Sequence, residues 1–120
     1  MKIAIPANDK DWESGVCASF GRARYLAFYD TQTQSGVFVE NPAAKAAGGA
    51  GLKAAQAVVD AGAGALLAVR CGQNAAEVLQ EAGVVVYRSL DGTMQENLAA
   101  FSEGKLVRMT QFQAGFHTGA

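Results

Sequence analysis

Residues 65–87 read ALLAVRCGQNAAEVLQEAGVVVY, and this stretch decides the fold. ALLAVR (65–70) is a short apolar run of the kind that forms a strand buried on both faces. GQNAAEVLQEAG (72–83) reads as a helix. Asn74 is expected to cap it with Glu77 three residues later, and Gly83 to end it. VVVY (84–87) is a second strand. A strand, a helix and a strand in close succession predict parallel strands joined by a right-handed crossover.

The pattern extends in both directions. KIAIP (2–6) reads as a buried strand that Pro6 stops, and ANDKDWESG (7–15) as a polar loop. ARYLAFYD (23–30) and GVFVEN (36–41) read as two strands whose short link makes an antiparallel hairpin. GLKAAQAVVDAG (51–62) carries Leu52, Ala55, Val58 and Val59 at helical spacing and stops at Gly62. Thr93 and Glu96 form a capping box that opens a helix running to about Phe101. KLVRMTQF (105–112) is weighed as a last strand, and QAGFHTGA (113–120) as a tail. The order is β-β-β-α-β-α-β-α: an α/β fold with a mixed five-stranded sheet and helices on both faces. One domain is expected over 1–106, with 107–120 as a C-terminal tail.

Composition narrows the function. The chain has 120 residues, 50% of them hydrophobic, and a formal net charge of −1. That balance argues against unspecific nucleic-acid binding, which needs a basic excess. No apolar run approaches the ~20 residues of a membrane span. The start MKIAIPANDK is too briefly apolar for a signal peptide, and two distant cysteines make no disulfide scaffold. The expected setting is cytoplasmic, with reduced thiols.

The predicted topology gathers four loops on one sheet edge, at the carboxyl ends of the parallel strands, where such sheets bind ligands. Those loops carry Cys17, Gly21 and Arg22; Lys45, Gly48, Gly49 and Gly51; Arg70, Cys71 and Gly72; and Arg88. Glycines let backbone N–H groups approach a ligand, and two helices start on the same edge, where negative charge is favoured. Cys17 and Cys71 are the candidate metal ligands, Arg22, Lys45 and Arg70 the candidate counter-charges, and Gly21, Gly48, Gly49 and Gly72 the candidate backbone donors.

Each residue also has a plainer reading. Cysteines such as Cys17 and Cys71 are more often small core or loop residues than ligands. The arginines and Lys45 can be solvated charges, and Trp12 can simply cover the core edge. Zinc is disfavoured, with no CxxC and a single histidine, His117, in the tail. GGAG (48–51) lacks the lysine and hydroxyl of a P-loop. Ser14, Ser19 and Ser89 have no nearby histidine to act as base, and Asp9, Asp11 and Glu13 are joined on this edge only by Asp91. Hydrolytic chemistry is therefore disfavoured.

MKIAIP, FGRARYLAFYD, NP, GGAGLKAAQ, GQNAAEVLQEAGVVVY and LAAFSEGKL, taken in order, resemble the dinitrogenase iron–molybdenum cofactor biosynthesis family. This is the group of NifX-like and NifB C-terminal-like domains and their stand-alone relatives, such as the orange protein of sulfate reducers. The likeness covers about 1–106. It implies a ribonuclease-H-like fold without nuclease chemistry, and a non-enzymatic carrier or scaffold for anionic metal–sulfur clusters. A cluster-assembly or recipient protein is the implied partner. Many members have histidine where this chain has Ser19, and histidine in the loop after Asn41-Pro42, where this chain has AAKAAGG. Imidazole ligation is thus absent from both loops; either the thiols and cations hold an iron–sulfur or molybdenum-containing sulfide cluster instead, or this member has lost cluster binding. The alternatives are a regulatory or protein-interaction module of the same fold without cofactor, or a phosphate- or nucleotide-binding domain.

Overall fold

The computed structural model describes residues 1–112. Its elements are β1 (Lys2–Ala7), β2 (Tyr25–Asp30), β3 (Ser35–Glu40), α1 (Ala50–Asp60), β4 (Ala65–Ala68), α2 (Gln73–Glu81), β5 (Val85–Arg88) and α3 (Met94–Ser102). They form one five-stranded sheet in the order β3-β2-β1-β4-β5. β1 pairs antiparallel with β2 and parallel with β4, and β4 pairs parallel with β5. This is the mixed sheet that residues 65–87 and the hairpin predict.

Period-two alternation sorts the strands onto two cores. Ala4, Leu26, Phe28, Leu66, Ala68 and Val86 pack with Ala54, Ala55 and Val58 of α1 and Ala75, Ala76 and Leu79 of α2. Ile3, Ile5, Ala27, Ala65 and Leu67 face the other way and pack with Met94 and Ala100 of α3. All four residues of β4 are buried because helices cover both of its faces. Each large apolar side chain so enclosed contributes about 1.5–3 kcal/mol relative to exposure.

Four expectations change. Pro6 lies inside β1 rather than ending it. Its carbonyl accepts from the Cys17 N–H at 2.8 Å. A strand residue's N–H and C=O point to the same side, so the missing donor lies beyond the short β4 ladder, which pairs only Ile3 and Ala4. Asn74 does not cap α2: the N-cap is the extended Gly72, with no side-chain cap bond, so the helix starts before Asn74 is reached. Leu52, on the expected apolar stripe of α1, is 44% exposed, because the buried positions are Ala54, Ala55 and Val58. Residues 105–112 form no strand. They touch the outer edge of β5 through one antiparallel bridge, Tyr87 to Arg108, flanked by bonds from Arg88 N–H to Val107 and from Met109 N–H to Val86. Leu106 and Met109 are buried there, and Phe112 packs against the α1/α2 core. His117 and Phe116 lie outside the described residues.

Trp12 covers the core edge on the α3 side. Its ring lies 4.6 Å, centroid to centroid, from Phe38 and 6.0 Å from Tyr29. Gly36 makes this possible, because a Cβ there would overlap the Trp12 ring and stand 2.8 Å from the Phe28 carbonyl oxygen. Gly36→Ala is expected to lower unfolding stability by about 1–3 kcal/mol in urea denaturation, the usual scale of overpacking. Gly48→Ala, whose Cβ would enter open space, is expected to stay within about 0.5 kcal/mol of wild type. Equal stabilities for the two variants would contradict the packing described.

Candidate functional site

The loops after β1, β3, β4 and β5 all leave the same edge of the sheet, as their directions require. A cavity of about 230 Å³ opens there, lined by Ala18, Ser19, Phe20, Gly21, Gly51, Arg70 and Gly72. Three separate segments therefore meet: the loop after β1, the first turn of α1, and the loop that starts α2.

Small residues let them meet. A Cβ at Gly21 would stand 2.9 Å from the Gly51 nitrogen and 3.0 Å from the Ala50 carbonyl carbon, so the loop lies directly on the start of α1. A Cβ at Gly51 would stand 3.7 Å from the Ala75 Cβ in the first turn of α2. Both helices thus begin against one another. Gly49, the N-cap of α1, has φ 67°, a left-handed conformation that glycine adopts without strain. Neither α1 nor α2 has a side-chain cap. Their first-turn N–H groups have no acceptor within the helix and favour a negative ligand. α3 differs: Thr93 Oγ1 accepts from the Glu96 N–H at 3.0 Å, and Glu96 Oε1 accepts from the Thr93 N–H at 2.8 Å. This capping box satisfies its own end, as its sequence predicts.

Of the nine residues singled out from sequence, Gly21, Arg70 and Gly72 line the cavity. Arg22 lies beside it, and its Nη1 donates to the carbonyls of Ala44 at 3.3 Å and Ala46 at 2.6 Å. Lys45 between them is exposed, as are Gly48 and Gly49. Cys17 and Cys71 are buried and are not among the lining residues, although each directly precedes one, Ala18 and Gly72. The Cys17 thiol donates to the Ser19 carbonyl at 3.4 Å, and the Cys71 thiol to the Gly72 carbonyl at 3.6 Å. Among the described residues, no three of His, Cys, Asp and Glu gather as a metal site.

Two buried asparagines that sequence reasoning left without a role brace this edge. Asn41 Nδ2 donates to the Ala23 carbonyl at 2.9 Å and reaches those of Phe20 and Gly21 at 3.4 Å; its Oδ1 accepts from the Ala43 N–H at 3.0 Å. It ties the cavity's loop to the segment after β3. Asn97 Oδ1 accepts from the Leu90 N–H at 2.7 Å, and its Nδ2 donates to the carbonyls of Leu90 and Thr93. The Asn41-Pro42 pair was the one visible signal for the first, since asparagine before proline favours a turn.

Burial pushes the Cys71 thiol up from 9.0 to about 11. The folded protein therefore keeps this proton where the unfolded chain has lost it. The resulting stability is intact below pH 9 and is lost as pH rises toward 11. In urea denaturation across that window, wild type is expected to lose more stability than Cys71→Ala. Identical pH slopes would contradict a buried neutral thiol.

A family described as "Dinitrogenase iron-molybdenum cofactor" matches residues 1–104. Curated proteins offer no match. Among solved structures, the apo form of the orange protein from Desulfovibrio gigas is 32% identical, with TM-score 0.85, over 91% of this chain and 92% of that one. A Thermotoga protein, provisionally named NifB and solved by NMR, is 45% identical, with TM-score 0.80, over 93% of this chain and 96% of that one. A Methanocaldococcus jannaschii protein at 17% identity shares the fold, with TM-score 0.70, over 92% and 96% of the two chains. Matched by the family over residues 1–104, and 32% and 45% identical to two solved structures along nearly their whole lengths, this chain belongs to the dinitrogenase iron–molybdenum cofactor family.

Proposed function

We propose that this chain is a non-enzymatic carrier or scaffold for an anionic metal–sulfur cluster of the iron- or molybdenum-containing class, bound at the carboxyl edge of the sheet. One observation carries the reading. Two helices begin at the same cavity with no side-chain cap, and Arg70 stands at its rim. Open N–H groups on two converging helix dipoles, with a guanidinium beside them, suit a negatively charged guest. Family membership supports the metal–sulfur class of that guest.

Gly21, Gly72 and Arg70 would touch the cluster, and Gly49 would hold the start of α1 in place. Lys45 would add positive potential from the rim, and Gly48 would leave the approach open. Cys17 and Cys71 are the candidate thiolates. Ligation at either would require the thiol to leave its carbonyl and lose its proton, so it would grow stronger with pH. Cargo held by N–H groups and Arg70 alone would show no such dependence.

Exposed apolar residues favour a second use of the same edge. Leu52, Val69 and Leu90 stand in the first turn of α1 and the loops after β4 and β5, and are 44%, 37% and 51% exposed. They suit contact with a cluster-assembly or recipient protein, which fits a carrier and equally a cofactor-free interaction module. No helix among the described residues is long and apolar enough to cross a membrane.

Anaerobic reconstitution with iron, molybdate and sulfide, followed by gel filtration and metal and sulfide analysis, tests the proposal. Wild type is expected to retain metal with sulfide, and Arg70→Gln to retain at least tenfold less affinity, about the scale of one lost charge-assisted contact. Gly21→Val, which fills the approach to Gly51, is expected to abolish retention while the chain stays folded by circular dichroism. Metal-free wild-type protein after reconstitution would rule out the carrier reading. Cys17→Ser and Cys71→Ser separate the two modes of holding: unchanged retention assigns it to the N–H groups and Arg70.

A further inference from the structure

We infer that Arg22 is a positioning residue rather than a counter-charge. It straps the segment between β3 and α1 against the cavity's wall. The inference takes its affinity arm from the carrier reading above, and its structural arm stands apart from that reading.

The geometry is specific. Arg22 follows Gly21, a lining residue, yet is not itself among the residues that line the cavity. Both hydrogens of its Nη1 are committed to carbonyls across a gap of more than twenty residues, Ala46 at 2.6 Å and Ala44 at 3.3 Å. Those carbonyls belong to consecutive tight turns, in which the Ala44 N–H bonds to Asn41 at 3.1 Å and the Ala46 N–H to Ala43 at 3.0 Å. The segment is anchored at its start by buried Asn41 and Ala43. Toward α1 it has no such anchor. Gly48 and Gly49 have nothing within 4 Å of where a Cβ would stand, and residues 47–49 are exposed. Arg22 is therefore the side-chain tie nearest the free end among the described residues. The first turn of α1, with Gly51 on the cavity wall, follows directly.

The consequence is mechanical. A guanidinium offers a planar fork of donors that fits two carbonyls at once. Held this way, the segment fixes where α1 begins, and so where its first N–H groups point. Preorganised donors bind better because less ordering is needed on binding. Arg22 grips the carbonyls on either side of Lys45. Its own charge acts at a distance and is screened by salt, whereas Arg70 lines the cavity directly.

Amide hydrogen exchange of ligand-free protein and binding of tetrathiomolybdate, followed by its visible absorption across a series of salt concentrations, test this together. Arg22→Gln is expected to speed exchange at residues 44–52 and nowhere else. It is also expected to weaken tetrathiomolybdate about tenfold, the scale of a lost charge-assisted hydrogen bond, with the salt slope changed less than by Arg70→Gln. Arg70→Gln is expected to weaken binding, flatten the salt slope and leave exchange as in wild type. If Arg22→Gln flattens the slope as Arg70→Gln does, or leaves exchange at 44–52 unchanged, the positioning role is wrong. If wild type binds no tetrathiomolybdate, the cargo reading fails for this anion, and the exchange result alone decides whether Arg22 holds the segment.

Discussion

Two helices begin at one point, and neither closes its own end. That constraint organises the carboxyl edge of this molecule. A helix start leaves N–H groups that need an acceptor, and proteins usually provide one from a nearby side chain. α3 does so with Thr93 and Glu96. α1 and α2 instead have glycine at the N-cap and keep their first turns open. The packing of Gly21 on Gly51, and of Gly51 toward Ala75, brings those open ends together. Larger side chains at these positions would push the ends apart and divide the cavity.

The surrounding structure holds that junction still. β4, buried on both faces, sets the level from which the Arg70–Gly72 loop emerges. Asn41 ties the loop of Phe20 and Gly21 to the chain after β3, and Asn97 fixes the turn before α3. These asparagines are the buried polar side chains among the described residues, and both brace loops on this edge. Buried amides are tolerated only when their hydrogen bonds are met, so each locks its surroundings into a single arrangement. The open N–H groups of α1 and α2 are thereby held in fixed positions.

The architecture was legible in the sequence because its signals are local. The alternation of apolar strand, amphipathic helix and apolar strand over residues 65–87 sets parallel pairing, and Thr93 with Glu96 marks a helix start unaided. The errors arose where neighbours decide. Pro6 reads as a stop until one sees that its missing N–H lies past the end of the β4 ladder. Asn74 reads as a cap because its type and spacing fit, but the chain turns helical at Gly72. Leu52 reads as core because periodicity cannot say where the sheet ends, and it stands exposed at the rim. Glycine and arginine content pointed to the edge where the cavity of Gly21, Gly51, Arg70 and Gly72 opens. The partner of Arg22 was hidden, because a bond to carbonyls of Ala44 and Ala46 leaves no mark in side-chain type.

The most direct test of the central claim is an amide NMR titration of the folded protein with tetrathiomolybdate, read residue by residue. Shared use of two open helix starts predicts that the largest shift changes fall together on residues 50–52 and 73–75 and saturate at one equivalent. Changes confined to one helix, or centred around Trp12 and Tyr29 on the opposite face of the sheet, would contradict it.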